Sequence, residues 1–137
     1  MNTFHLRIYK ASDTFFEGEA ESVVIPAVDG AYGVMAGHEN VVCAIIPGML
    51  KYRQPGGEDQ YAAVTAGMMR IEDNDVLIIV EAAERPEDID EVRARAAEEA
   101  AREKMLQQKS MQDFALAEAA LHRAIARLRV KEHQKRL

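Results

Sequence analysis

The stretch EDIDEVRARAAEEAARE, residues 87–103, gathers the charges best placed to do chemistry: Asp90, with Arg93, Arg95 and Arg102 behind it. A carboxylate accepts hydrogen bonds, and a guanidinium offers a planar fork of donors that matches phosphate oxygens. The grouping therefore raises the question of an anionic ligand. The same residues also have an ordinary use. Glu91–Arg95, Arg95–Glu99 and Glu98–Arg102 stand four apart. On a surface helix such pairs contribute about 0.3 kcal/mol each and need no ligand.

Other reactive side chains do not form a pattern. The four histidines, His5, His38, His122 and His133, are scattered, with neither HExxH nor metal-ligand spacing to Cys43. No GxxxxGK[ST] loop, GxGxxG turn or GxSxG elbow occurs. A catalytic role, a metal and a required cofactor are therefore not expected. Cys43 lies in the apolar run VVCAII and is expected to be a buried, reduced thiol of an intracellular chain. The net charge of −6 argues against nucleic-acid binding. Neither VVCAII nor VLIIV approaches the ~18 apolar residues of a membrane span, and the start MNTFHLRIYK has no signal or transit character.

The elements that must carry these residues fall into two kinds, with the change near Arg85-Pro86. In FHLRIY, Phe4, Leu6 and Ile8 alternate with His5, Arg7 and Tyr9, the period of a half-buried strand. ESVVIPA, NVVCAII, GMLKYR, QYAAVTA, MMRIE and DVLIIVEA are further strands; PGGED and EDND are turns between them. AYGVMAGHE, 31–39, reads as a loop in which Gly33 and Gly37 supply positive φ. Closely spaced short strands predict a β-sandwich or barrel over residues 1–85.

After Pro86 there is no glycine, and alanine is dense. Asp88 is the predicted N-cap of a first helix. Phe114, Ala117, Leu121, Ala124 and Leu128, with Ile125 beside them, form the apolar stripe of a second helix. The short polar QQKSMQD between them, with Ser110 or Asp113 as cap, predicts an antiparallel hairpin over 86–137. The fold class is thus α+β: an all-β sandwich, then two helices. Alanine-rich helix faces bury little apolar area, so this hairpin is expected to be marginal and detachable. Charge divides as well: residues 1–85 hold 6 Lys/Arg against 13 Asp/Glu, and residues 86–137 hold 11 against 10.

Three ordered patterns resemble one family. VVIPAVDGAYGVMAGHENVVCAIIPGMLKY looks like the signature of the epsilon subunit of the F-type ATP synthase. VTAGMMRIEDNDVLIIVEAAERPEDID is similar to the last β-hairpin of that subunit and its crossing into helix, and IDEVRA matches the motif opening its helical hairpin. The resemblance implies a non-catalytic rotor component whose sandwich binds the gamma subunit and sits on the c-ring. It implies a hairpin that lies on the sandwich or extends towards the alpha/beta catalytic hexamer, where it restrains ATP hydrolysis. It implies a peripheral place on the cytoplasmic face of the bacterial plasma membrane, held there only through the complex. Tyr32, Gly33, Met35 and His38 would then form the edge that meets the c-ring or gamma.

Some members of that family bind ATP at the IDEVRA position as a regulator, with no magnesium ligand implied by this sequence. Carried over, Ile89 and Ala94 would line the base or sugar and Asp90 would accept a hydrogen bond from it. Arg93, with Arg123 and Arg127 across the hairpin, would face the phosphates, and Glu84 completes the set. One departure bears on affinity. Ala100 stands where ATP-binding members carry a further arginine. One missing charge-assisted contact weakens binding roughly ten- to hundredfold. The other reading of the same residues is a free-standing β-sandwich ATP-sensing module with a helical lid.

Overall fold

Alternating apolar and polar residues turn one face of each strand inward, and two such faces close on each other. The computed structural model describes residues 2–107 and 111–136. Among these, ten strands precede two helices: β1 (Phe4–Lys10), β2 (Asp13–Ala20), β3 (Ser22–Ala27), β4 (Gly30–Met35), β5 (Val41–Ile45), β6 (Gly48–Arg53), β7 (Asp59–Val64), β8 (Gly67–Glu72), β9 (Asp75–Val80), β10 (Ala83–Glu84), α1 (Glu91–Leu106) and α2 (Met111–Arg136). One sheet runs β2-β1-β9-β8-β5 and the other β10-β7-β6-β3-β4. β1 and β9 pair in parallel, and the other neighbours pair antiparallel. Phe4, Leu6 and Ile8 point into the sandwich as their spacing predicts, against Val23, Ile25, Leu50, Ile71 and Ile78.

The EDND turn is a two-residue hairpin loop in which Asp73 and Asn74 take φ of 50° and 64°. That left-handed pair is what a tight hairpin needs to follow the strand twist. Three strands lie outside the sequence reading. β2 carries Glu and Gly in its interior and a register shift opposite Ile8/Tyr9, so its period is broken. β4 contains Gly30 and Gly33, and β10 is too short to leave a pattern. The expected loop at 31–39 is corrected accordingly. Gly33 is a strand residue paired with Val24, whereas Gly37 has the positive φ, +79°.

The helix start is also corrected. Pro86–Asp88 forms a 3-10 turn and Ile89 is extended, so the capping position moves from Asp88 to Asp90. Asp90 Oδ1 accepts from the Arg93 N–H at 3.2 Å, satisfying one of the unpaired donors of the first turn. Of the three expected ion pairs, Glu91–Arg95 forms at 3.1 Å. Ser110 lies outside the described residues, and Asp113 stands within the first turn of α2. α2 packs along α1 and onto β6 and β7. Ala117, Leu121 and Ala124 of the predicted stripe are buried, facing an α1 whose buried residues are Ala94 and Ala101. Against the sheet the hairpin adds a small second cluster, Ala63, Ile89 and Val130, flanked by Met49 and Tyr61.

Candidate functional site

Where α2 crosses the outer face of β7 and β10, the two halves enclose a cleft of about 240 Å³. Its walls include Ala63, Thr65 and Glu84 from the sandwich, Ala97 from α1, and Arg123 and Arg127 from α2. Arg123 and Arg127 are four apart, so helix geometry stacks them on one face. Glu84 sits opposite because β10 pairs with β7 at its edge. Arg127 Nη2 donates to Glu84 Oε2 at 3.2 Å, and its Nε lies 2.9 Å from Oε1 without a hydrogen bond of its own. Below the pair, Lys131 Nζ donates to the Pro86 carbonyl at 3.2 Å. His133 stacks on Tyr61 at 4.9 Å between ring centroids.

The structure thus brings together Glu84, Arg123 and Arg127 of the expected nucleotide set. It places the remainder elsewhere. Ile89 is buried against Ala63 and Val130, Ala94 is fully buried, and Asp90 is engaged as a helix cap. Arg93 is exposed. It lies one turn before Ala97 and is not among the residues lining the cleft.

A second group stands at one end of the sandwich. Tyr32 projects from β4, and its hydroxyl is 3.0 Å from His38 Nε2. His38 Nδ1 is 2.8 Å from the Glu39 carbonyl. Both contacts are satisfied when Nδ1 donates to the carbonyl and the Tyr32 hydroxyl donates to Nε2. Met35 is 69% exposed at the end of β4, and Gly33 is exposed on the strand. Tyr32 and His38 therefore form one unit, while Met35 and Gly33 present open surface beside it. Among the described residues, no group of three His, Cys, Asp or Glu side chains is placed to hold a metal.

The profile of the ATP synthase delta/epsilon chain β-sandwich domain matches residues 3–86, and that of its long α-helix domain matches residues 87–132. The chain belongs to the ATP synthase delta/epsilon family. It is similar to the ATP synthase epsilon chain of Caldicellulosiruptor saccharolyticus, at 39% identity covering 98% of both chains. The epsilon chains of Shouchella clausii, at 37% over 98% of both, and of Caldanaerobacter subterraneus, at 36% over 93% of both, are similar as well. These relatives are non-catalytic subunits of the synthase, and so is this chain. Its fold matches a chain in the Euglena gracilis mitochondrial ATP synthase (OSCP, F1 and c-ring), with TM-score 0.82 and 24% identity over 98% of this chain and 82% of that one. It also matches one in the Tetrahymena thermophila mitochondrial ATP synthase central stalk and c-ring, with TM-score 0.64 and 12% identity over 93% and 95%.

For a delta/epsilon-family chain, several residues that hold the hairpin down were not singled out by sequence reasoning. Lys131 and His133 belong to no motif in the sequence, and Tyr61 is one strand residue among many. They gain partners where α2 lies over the 3-10 turn and β7, Lys131 at the Pro86 carbonyl and His133 at the Tyr61 ring. Tyr61 did carry a signal: it alternates outward from a strand whose Ala62 is buried, which leaves an aromatic ring on an outer face needing cover.

Proposed function

We propose that this chain is a rotor subunit of the central stalk, passing ion-driven rotation to distant catalytic sites while doing no chemistry itself. The observation that carries this is an apolar row on the sandwich face opposite the hairpin. Ala44, Met68, Ile79 and Tyr9 are cross-strand neighbours on β5, β8, β9 and β1, with Met68 54% and Ile79 52% exposed and Val42 beside them at 62%. Such a contiguous patch suits a permanent partner, and the family supplies the gamma subunit. The Tyr32–His38 end, with Met35 and Gly33, then meets the c-ring. The chain joins the membrane peripherally, on the cytoplasmic face, through these contacts. No described helix is long and apolar enough to cross a bilayer.

Co-expression with a gamma subunit tests the reading. The wild-type chain co-purifies with it, and Met68→Glu with Ile79→Glu abolishes the complex while leaving the sandwich folded. A lone monomer with saturable ATP binding would favour the free-standing sensor instead.

The hairpin is the regulatory half: docked as described, it is held by a small apolar cluster, the Glu84–Arg127 pair, the Lys131–Pro86 hydrogen bond and the Tyr61–His133 stack, contacts modest enough for release towards the alpha/beta hexamer. ATP hydrolysis by the reconstituted complex rises when the chain ends near Glu87. Equal rates with the full chain would remove the restraint. At the cleft, Arg123 and Arg127 fit the phosphate end of a nucleotide. The base end does not fit as folded, because Ile89 and Ala94 are packed inside, and 240 Å³ is below the usual ligand-pocket range of about 300–1,000 Å³. ATP binding is therefore weak and requires Glu84 to release Arg127. Calorimetric titration shows heat only at high ATP; none at millimolar ATP removes the site.

A further inference from the structure

We propose that Asn74 is the positioning residue that sets the shape of the loop after β4 and so presents Tyr32 and His38 to the ring, an inference that rests on the ring-contact reading above. Asn74 is the second residue of the β8–β9 turn, at φ 64°. In a left-handed turn of this kind that position is cheapest for glycine. The chain keeps an asparagine there, and both ends of its amide are used. Oδ1 accepts from the Gly37 N–H at 2.8 Å, and Nδ2 donates to the Thr3 carbonyl at 2.9 Å. Its backbone carbonyl accepts from the His5 N–H at 3.3 Å. Only one orientation of the amide serves both side-chain partners, because one is a donor and the other an acceptor.

These bonds tie three separate pieces of chain at one end of the sandwich: the lead into β1, the β4–β5 loop and the β8–β9 turn. The loop is held from both ends. Gly37 is gripped by Asn74, and Asn40 Oδ1 accepts from the Asp73 N–H at 2.9 Å. Between them His38 N closes a turn on the Met35 carbonyl at 3.3 Å, and the ring of His38 meets Tyr32. Gly37 itself sits at φ +79°, with nothing within 4 Å of where a side chain would stand. That side of Gly37 is open, and the Asn74 amide grips its N–H.

The test compares Asn74→Gly and Asn74→Asp in the full chain. Glycine tolerates the turn conformation, so the fold is retained while both side-chain bonds go. Aspartate keeps the acceptor for Gly37 and loses the donor to Thr3. By NMR, the Gly37 amide exchanges about five- to tenfold faster in Asn74→Gly, the effect of losing one hydrogen bond, and at the wild-type rate in Asn74→Asp. In reconstituted synthase vesicles, ions pumped per ATP hydrolysed fall in Asn74→Gly and are retained in Asn74→Asp. Unchanged Gly37 exchange in Asn74→Gly overturns the clamp itself. Faster exchange with pumping unchanged overturns its role in presenting the loop. If pumping is also unchanged in His38→Ala, the ring-contact reading falls while the exchange result stands on its own.

Discussion

Gly67 has no room for a methyl group: a Cβ there would collide with the Ile79 carbonyl oxygen and lie 2.8 Å from Val80 Cα. Backbone cannot yield as a flexible side chain does, so Gly67→Ala is expected to destabilise the sandwich by about 3 kcal/mol, the upper end for overpacking, measured by denaturant melting. Tyr52 makes a different residue-scale prediction. It is 6% exposed and stacked obliquely on Phe16, and burial raises its ionisation above the ordinary tyrosine range. The cationic Arg85 opposes that rise and Glu87 adds to it. A raised folded-state value means the neutral form is favoured on folding. This contribution is fully present below about pH 10, the unfolded value, and is lost as pH rises through the folded one. In an alkaline ultraviolet titration, Tyr52→Phe removes a late-ionising tyrosine, and the variant loses less stability above pH 10 than the wild type.

Between elements, the decisive contrast is in how the hairpin is held. The sandwich core joins both sheets through large side chains, while the apolar contact of the hairpin with its support is the small cluster Ala63, Ile89 and Val130, flanked by Met49 and Tyr61. Alanine removes little apolar area from water, so the helix–helix face adds little as well. The Glu84–Arg127 pair is about one-third exposed on each side, which limits its contribution; a double-mutant cycle is expected to give about 0.5–1 kcal/mol. Val130 is fully buried. Val130→Asp places a carboxylate there and should shift the docking balance by roughly 3 kcal/mol. Hydrogen exchange would then rise across 86–136 and stay unchanged in β1 to β9. On the sandwich side of the junction Arg85 is anchored: its Nη2 donates to the Phe15 carbonyl at 2.8 Å and its guanidinium lies 4.3 Å over the Phe15 ring. Release of the hairpin, as proposed above, would therefore begin after Arg85, in the 3-10 turn and the extended Ile89.

For the whole molecule, these contrasts predict two transitions on heating. Helical ellipticity falls first and gradually, and the sandwich melts later and cooperatively. A chain ending at Glu87 keeps β10 and the whole main core, so its melting temperature should match the later transition to within a few degrees. A single shared transition would show that the hairpin is integral to the fold. The molecule also presents surfaces of distinct chemistry. An apolar face lies away from the hairpin, a hydrogen-bonded loop end carries Tyr32 and His38, and a cleft beneath α2 gathers Glu84, Arg123 and Arg127.

The order of strands then helices, the inward face of β1, the β8–β9 turn and the alanine-rich stripe of α2 were legible in the sequence. Each follows from local periodicity or from turn residues that favour a left-handed backbone. The family was legible from three ordered motifs. β2 and β4 were not, because glycine and glutamate interrupt their alternation and only pairing with β1 and β3 makes them strands. The helix cap moved from Asp88 to Asp90 because Pro86 imposed a 3-10 turn that no spacing rule anticipates. At the cleft, the family resemblance named Glu84, Arg123 and Arg127, which the fold brings together, but not that Ile89 and Ala94 would be buried in packing. Side-chain chemistry and period are local properties and are written in the chain. Which residue faces which across the sandwich, and whether a guanidinium meets a carboxylate or an open cleft, depends on contacts between distant segments, and only the tertiary structure decides it.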